Sequence, residues 1–402
     1  MSESDKASRF ALILLVTLCI TYIVENFLRS AAGALTPVLI NELGITHGAM
    51  GLLTTAFFLV YGLMQIPAGL LGNTFGPRKT IIWSTAVTVI GVFLFWINHS
   101  YIVLFIAQFL VGIGSSTFYI NSVKLMLEWF PRSWKATAVG IMSASSGIGN
   151  TLAYMGFPLV YEMYGDWRAF YIAFGIILLV NWVMNLFLLK DKNPSNGNLK
   201  VGEMMNSVVA VFKNKEMRPY IIAYTFRSTN FVFGVWITQF LIDTKGFTYV
   251  QAGQINSVGT FSAIIGCIVV AAISDRMRKR KAPLLFFAFT TFAANALLIL
   301  LPAGTSIVVF SAVNAVMYIT VGYWVLFFSM VPEVLPPELS GIGLGTINAV
   351  CTLGISVLSP VYGGLVDLTS GYMASNLLML LGALLVPVLM LRVKDPYGGL
   401  EK

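Results

Sequence analysis

Charged residues are scarce in this sequence of 402 residues: they make up 10% of the chain, whereas hydrophobic residues make up 57%. A soluble protein of this length needs far more polar surface to cover its core, so the composition excludes an ordinary soluble domain. The mean hydropathy of +0.82 agrees with that exclusion. We therefore expect the chain to lie in a lipid bilayer.

Histidine and cysteine are also rare. His47 and His99 stand at the ends of apolar stretches, and Cys19, Cys267 and Cys351 lie inside such stretches. The sequence has no His-Glu-x-x-His motif, no metal-spaced cysteine cluster and no Gly-x-Ser-x-Gly elbow. We expect no metal, no cofactor and no enzymatic activity. An integral-membrane enzyme is the alternative from another class.

Twelve apolar segments follow one another along the chain, and each is long enough to cross the roughly 30 Å of hydrocarbon in a bilayer. They cover 9–39, 48–72, 80–98, 101–128, 134–163, 168–189, 217–242, 248–273, 282–301, 305–333, 339–366 and 371–392. The sequence therefore predicts an all-α integral membrane protein with 12 transmembrane helices. We expect an N-terminal six-helix bundle over 1–190, a cytoplasmic linker over 191–216 and a C-terminal six-helix bundle over 217–402.

Basic residues are divided unevenly between the two sides of these spans. If both termini are cytoplasmic, 20 of the 25 Lys and Arg residues fall in cytoplasmic segments, among them Arg132, and only Arg168 and Lys245 fall in external loops. The positive-inside rule favours this orientation. It also explains the net charge of +8 without a nucleic acid partner. We expect a monomer in the plasma membrane, which would be the inner membrane of a bacterium or archaeon.

An internal repeat relates the two halves without gaps. Residues 39–51 align with residues 241–253 with five identities, and the same offset of 202 residues pairs Asn73 with Asp275 and Arg78 with Arg280. Because the offset covers six spans, an even number, both halves have the same orientation in the membrane and form a parallel repeat. Such a repeat predicts a substrate site at the interface of the halves, near the middle of the membrane.

Several short stretches resemble a known transporter pattern. Residues 69–79 and 274–281 resemble the loops between spans two and three, and eight and nine, of the major facilitator superfamily. Arg29, followed at thirteen residues by Glu42-Leu43-Gly44, together with stretches 121–131 and 135–140, resembles the anion:cation symporter family. The first resemblance implies the major facilitator fold and alternating access. The second implies that Arg29 holds a substrate carboxylate.

Three basic residues, Arg29, Lys124 and Arg227, lie within predicted spans. A charge at mid-membrane costs at least about 2.5–3.5 kcal/mol, so we expect each to face a partner or a cavity. The one clearly intramembrane acid is Glu25, and three cations against one acid favour an anionic substrate. We predict that all three cations bind substrate. The offset of 202 pairs Glu25 with Arg227, and we expect these two residues to contact each other across the pseudo-twofold axis. The alternative for each cation is a buried ion pair that only locks helices, as Lys124 could form with Glu128.

Glu25 is the predicted proton carrier. Arg29 or Arg227 would hold its carboxylate charged until substrate displaces them, and this competition would couple proton binding to anion binding. The sequence departs here from the symporter family, because the acid that the family places beside the first-span arginine is Leu28 in this chain. Protons are accordingly an expected partner through Glu25 instead.

Other polar residues complete the predicted site and gate. The remaining substrate-binding candidates are Tyr61, Tyr119, Asn121 and Asn348. A cytoplasmic gate is predicted from Asn73, Arg78, Asp275 and Arg276, in which Asp275 engages Arg276, neighbouring backbone or a helix N-terminus in the outward-open state.

The sequence thus predicts a secondary active transporter that moves a small organic anion, a monocarboxylate or sugar acid, with protons by alternating access. An organophosphate:phosphate-type exchanger is the first alternative, because Arg29 and Arg227 could together grip a phosphate. A carrier of neutral solutes is the second, and it would require the intramembrane cations to be neutralised internally.

Overall fold

The structure, a computed structural model, describes residues 3–97, 100–131, 134–192 and 201–397. His99, Arg132 and the linker positions 193–200, all mentioned above, lie outside the described residues. The described part of the chain is almost entirely helical. This agrees with a chain in lipid, where helices satisfy their own backbone hydrogen bonds.

Sixteen helices follow one another in the described residues. They are α1 (Glu3–Ala34), α2 (Thr36–Leu43), α3 (His47–Phe75), α4 (Pro77–Ile97), α5 (Tyr101–Trp129), α6 (Lys135–Tyr164), α7 (Arg168–Leu188), α8 (Val201–Lys213), α9 (Arg218–Phe226), α10 (Ser228–Lys245), α11 (Tyr249–Met277), α12 (Lys281–Leu300), α13 (Ile307–Val321), α14 (Trp324–Val334), α15 (Pro337–Thr369) and α16 (Met373–Met390).

Ten of the described helical segments are long and apolar enough to cross a membrane. Two further crossings are helix α6, which has 30 residues and a central stretch of serine and glycine, and the pair α9–α10, which is interrupted at Arg227. Together they give the predicted twelve, arranged as two six-helix bundles. The positions of the domain boundaries stay a prediction.

The predicted repeat has a matching backbone. Thr46 begins α3 and accepts a hydrogen bond from the Ala49 amide, and Thr248, its equivalent, begins α11 and accepts one from the Gln251 amide. Gly44 and Gly246, which precede these caps, both have positive φ, 59° and 76°. Glycine adopts this conformation at little cost, so the same helix-turn-helix corner forms twice.

Two spans are interrupted at the same region of the second bundle. Between α9 and α10 the Asn230 amide donates to the Arg227 carbonyl, and between α13 and α14 the Tyr323 amide donates to the Thr320 carbonyl. These are bonds of the 3₁₀ type, which tighten a helix locally. The first interruption falls at Arg227, and the second brings Trp324 beside it, as described below.

One helix was not predicted. The linker interval contains α8, whose Val208 and Val211 are buried while Met205 and Phe212 are exposed. A short amphipathic helix of this kind stabilises itself by packing its apolar face, here against α15 and α9. Its few apolar residues were hidden in an interval that is polar on average.

Candidate functional site

Arg29 lies in an aromatic enclosure between the two bundles. Its guanidinium carbon is 5.3 Å from the ring centroid of Phe58, 5.4 Å from that of Tyr61 and 4.9 Å from that of Phe231. Its Nε is buried without a hydrogen-bond partner in the described part of the chain. Aromatic faces attract a cation without consuming its hydrogen-bond donors, so the fork of this side chain stays open to a carboxylate.

Arg227 has a similar environment in the second bundle. Its guanidinium carbon is 5.3 Å from the Tyr224 ring centroid and 5.8 Å from that of Trp324, and its Nη1 lies 3.6 Å from the sulfur of Cys351. Its Nε, too, is buried and finds no hydrogen-bond partner among the residues described. The interruption between α9 and α10 falls at this residue, so the cation lies where the helix is locally tightened.

Glu25 is 3% exposed, and its Oε1 has no hydrogen-bond partner within the described ranges. Among the described residues no ion pair includes it, so the expected contact between Glu25 and Arg227 does not form in this structure. The two positions are equivalent by the offset of 202, but Arg227 turns to Cys351 and two aromatic rings instead. Neither arginine therefore has a carboxylate partner in the part of the chain that the structure describes.

Tyr61 and Asn348 lie on helices α3 and α15, which face each other across the bundle interface. The Tyr61 ring contacts Arg29, and one helical turn further on Gln65 accepts a hydrogen bond of 2.9 Å from the Asn348 amide. This bond joins the two bundles. The structure thus brings Tyr61 to the arginine site and places Asn348 at the junction beside it.

Lys124 and Asn121 tie α5 to α3. The Lys124 ammonium donates to the Gly69 carbonyl at 2.6 Å and to Asn73 Oδ1 at 2.7 Å, and the Asn121 amide donates to the Ala68 carbonyl at 3.2 Å. Gly69 follows Tyr61 by eight residues, about 12 Å along a helix. The structure therefore places Lys124 and Asn121 well along α3 from the Arg29 enclosure.

Tyr119 lies closer to the first span. Its ring centroid is 5.4 Å from that of Tyr22, and its hydroxyl is 3.0 Å from the hydroxyl of Ser143 on α6. Tyr22 precedes Arg29 by two helical turns on α1. Tyr119 is thus connected, through Tyr22, to the helix that carries the arginine and the predicted proton carrier.

The predicted gate residues lie at the end of the molecule where α4 and α12 begin, which we call the basic end. Arg78 donates to the Leu186 carbonyl at 2.8 Å, and Asn73 is held by Lys124. Asp275 pairs with Arg280 at 2.5 Å rather than with Arg276, which is exposed. The reason is that Arg278, with a positive φ of 49°, ends α11 and turns the chain so that Arg280 points back at α11.

Arg280 also contacts the C-terminal end of α14, where it pairs with Glu333 at 3.0 Å. Burial of the guanidinium works against its charge, but the hydrogen bonds from Arg280 to Asp275 and Glu333 outweigh burial and raise the pKa of Arg280. The gate residues therefore bond within their own bundles in this structure.

The opposite end, where α3 and α11 begin, is closed by contacts between the bundles, and we call it the closed end. His47 Nδ1 lies 2.8 Å from Asp367 Oδ1, and the Tyr249 hydroxyl donates to the Ala34 carbonyl at 2.6 Å. In the described residues the hydrogen bonds between bundles run from this end as far as Gln65 and Asn348. The arginine site is thus shut off from the closed end.

Sequence reasoning missed the acids of the closed end. Asp243 and Asp367 both approach His47, and Tyr372 donates a hydrogen bond to Asp243. The aligned repeat already contained His47 and Asp243, so it was the available signal. Asp367 has no such signal, because its equivalent in the first half is Gly165.

Comparison with known proteins agrees with this geometry. A family model described as Major Facilitator Superfamily matches residues 18–360. The Probable sulfoacetate transporter SauU of Cupriavidus necator is 23% identical over 92% of both chains, and the D-galactonate transporter of Escherichia coli is 24% identical over 93% of this chain and 91% of its own.

A solved structure shows the same fold. It is the crystal structure of a bacterial homolog to the human lysosomal transporter Spinster, in an inward-facing and unoccupied conformation, with a TM-score of 0.73, 15% identity and coverage of 95% of this chain and 96% of that one. The twelve crossings, the duplicated corners and the match of the family model lead to one assignment. The chain is a multi-pass membrane protein that belongs to the Major Facilitator Superfamily of transporters.

Proposed function

We propose that this chain is a secondary active transporter of a small organic anion, a monocarboxylate or sugar acid, which binds between Arg29 and Arg227. One observation carries the proposal: two guanidinium groups face aromatic rings, that of Arg29 between the bundles and that of Arg227 within the second bundle, and neither has a carboxylate partner among the described residues. A cation inside a membrane protein is costly unless it is paired or faces a cavity. An anionic substrate supplies the missing partner.

Arginine suits this role better than lysine would. Its planar fork can donate two parallel hydrogen bonds to one carboxylate, which fixes the orientation of the substrate as well as its charge. The rings of Phe58, Tyr61 and Phe231 hold the Arg29 guanidinium from its faces and leave its edge for the ligand. Tyr61 would then border the bound anion, with Asn348 nearby.

The relatives support the class of substrate. Those compared above are named for sulfoacetate and D-galactonate, both organic anions. Their low identity, 23% and 24%, leaves the individual substrate to be measured. The organophosphate exchanger is the second candidate, since two arginines at one site could also hold a phosphate.

Transport would proceed by rocking of residues 1–190 against residues 217–402. In this structure the closed end is sealed by cross-bundle bonds while the gate residues of the basic end bond within their bundles. We assign the basic end to the cytoplasmic side of a bacterial inner membrane, because Lys and Arg are concentrated there. In this orientation the substrate site would be cut off from the outside, and we propose that the transporter is a monomer.

Glu25 is the proposed proton site. It lies four residues before Arg29 on the same face of α1, and its Oε1 has no partner in the described part of the chain. An acid beside an unpaired arginine can lose its proton when the arginine is free and regain it when an anion occupies the arginine. Such an exchange would couple anion uptake to protons.

The test is ligand-dependent thermal stability of the purified protein. A ligand at 100 times its dissociation constant adds about 2.7 kcal/mol to the native state. We expect galactonate or sulfoacetate to raise the midpoint of unfolding, glycerol 3-phosphate to raise it less, and galactose to leave it unchanged. Stabilisation by the phosphate alone would favour the exchanger, and stabilisation by galactose alone would contradict an anion site.

A further inference from the structure

His47 occupies an unusual position at the closed end, between two acids of the other bundle. It begins α3 in the first bundle. Its Nδ1 lies 2.8 Å from Asp367 Oδ1 at the end of α15, and its Nε2 lies 3.6 Å from Asp243 Oδ2 on α10. Both ring nitrogens therefore face the second bundle.

The hydrogen bonds around the ring determine its protonation. The Tyr372 hydroxyl lies 3.3 Å from Nε2, but it donates its own proton to Asp243 Oδ2. Burial and the bond to Asp243 raise the pKa of the Tyr372 phenol, so it keeps that proton. Nε2 consequently faces only oxygen lone pairs, from Tyr372 and Asp243, while Nδ1 faces the Asp367 carboxylate.

The imidazolium form is the one that gives both ring nitrogens a proton to direct at these oxygens. A neutral imidazole carries one N–H and one lone pair, whereas the imidazolium carries two N–H groups. With a neutral ring, either Nδ1 would point its lone pair at Asp367 or Nε2 would point its lone pair at Asp243 and Tyr372. We therefore assign the closed end a positive histidine between two negative carboxylates.

The remaining neighbours of the two acids are uncharged donors. Asp367 accepts the backbone amides of His47 at 3.1 Å and Gly48 at 2.8 Å, so its negative charge faces the N-terminus of α3. Asp243 accepts two bonds from the Gln239 amide. The side chains of Asp367 and Asp243 are 30% and 33% exposed and that of His47 is 23% exposed, so protons reach the cluster from the solvent on this side.

We propose that His47 is a proton-operated latch that holds the closed end shut by pairing with Asp243 and Asp367. Protonated, it joins α3 of the first bundle to α10 and α15 of the second. When His47 is neutral, one of its ring nitrogens presents a lone pair to a carboxylate. Because this contact is no longer attractive, the two bundles separate more readily at the closed end. The proposal rests on the alternating access of the proposed function, because a latch matters only where the closed end can open.

The latch differs from the proton carrier. A proton enters His47 from the side of the closed end and returns to that side when the end reopens, so no proton crosses the membrane through it. Acid on that side, the outside in the proposed orientation, would favour the state in which the site faces the other way. Glu25, in contrast, would exchange its proton with both sides.

The repeat supplies a matched control. The residue equivalent to His47 is Tyr249, which begins α11 and also crosses between the bundles, donating to the Ala34 carbonyl at 2.6 Å. Both the donor, a hydroxyl, and the acceptor, a backbone carbonyl, are uncharged. Tyr249→Phe should therefore loosen the closed end equally at every pH, whereas a change at His47 should remove the effect of pH itself.

The experiment measures the opening of the closed end directly, without substrate. Spin labels on cysteines introduced at Tyr164 and Ala303, both exposed at this end, report the distance between the bundles by electron double resonance. The native cysteines are replaced by serine in this background. Wild type should show mostly the short distance at about pH 5.5, and the ratio of closed to open molecules should fall about tenfold by about pH 8.5.

The variants decide the outcome. His47→Gln should give a ratio that does not change with pH, and His47→Asn, which also removes the imidazole, should do the same if the first variant does not fold. Tyr249→Phe should lower the ratio while keeping its pH dependence. A wild-type ratio independent of pH, or a pH dependence that persists in whichever of His47→Gln and His47→Asn folds, would overturn the latch. Failure of the anion site would leave this measurement untouched, since no anion is added.

Discussion

The Arg29 guanidinium carbon lies 4.9 Å above the ring of Phe231, and Phe231 follows Arg227 by one helical turn. The interrupted span α9–α10 thus carries both Arg227 and the ring that Arg29, on α1 of the other bundle, contacts. An anion held by Arg29, as proposed, would lie beside a ring of the second bundle. Substrate binding would then act directly on the movement of one bundle against the other.

Neutralising Glu25 should uncouple substrate transport from the proton gradient. Glu25→Gln keeps the size of the side chain and removes the exchangeable proton, so exchange of labelled substrate in proteoliposomes should continue while accumulation driven by a pH gradient is lost. Asn26→Ala, a change at the next residue of α1, should leave accumulation in place. Continued pH-driven accumulation in Glu25→Gln would show that the coupling proton is carried elsewhere.

Removing the Lys124 ammonium should lower stability. The half-buried Gly69 carbonyl and the exposed Asn73 lose their donor in Lys124→Met, and the loss of a hydrogen bond of this kind costs about 0.5–1.5 kcal/mol. We expect a lower unfolding midpoint in detergent, with the affinity for the anion retained. A weaker affinity for the anion with an unchanged unfolding midpoint would support the predicted role of Lys124 in substrate binding.

Glycine at position 51 should be required for the close approach of α3 and α15 that shuts the closed end. A Cβ there would lie 2.5 Å from the Pro360 Cα and 2.6 Å from the Ser359 carbonyl oxygen, both backbone atoms of the other bundle that cannot move aside. Gly51→Ala should destabilise this conformation by about 1–3 kcal/mol. The measurement is the distance between spin labels at the closed end, which should lengthen.

Gly364→Ala is the control for that change. Gly364 also lies in a helix of the closed end, α15, but a Cβ at this position would meet no atom of the described residues within 4 Å. The label distance should stay as in wild type. An equal lengthening in both variants would mean that loss of glycine, rather than the close approach of α3 and α15, is responsible.

Much of the fold could be predicted from the sequence because its determinants are local or repeated. Spans are visible as runs of apolar residues, and the repeat alone assigns Thr46 and Thr248 to equivalent corners. The break at Arg227 could not be predicted, since no proline or glycine marks it in the sequence from Thr225 to Phe233. The helix α8 was missed because its apolar face is short.

The site could be predicted in part. Intramembrane charge pointed to Arg29, Arg227 and Glu25, because a charge in lipid is costly wherever the chain places it. The rings that hold the arginines, such as Phe58 and Trp324, are ordinary members of apolar stretches, and only the packing of the bundles shows their role. The same reason hid Asp367, which is 320 residues from His47 and contacts it at 2.8 Å.

The proposed anion site is tested most directly by calorimetric titration of one anion, galactonate or sulfoacetate, into wild type and arginine variants. Arg29→Lys keeps the charge and loses the fork, and Arg227→Gln loses the charge. Arg168→Gln changes an arginine at the closed end that pairs with Glu42, and it serves as the control. Loss of one charged hydrogen bond costs about 1.5–3 kcal/mol, so we expect affinity at least about tenfold weaker in both site variants and unchanged in Arg168→Gln. Binding as tight as wild type in Arg29→Lys and Arg227→Gln would contradict the account.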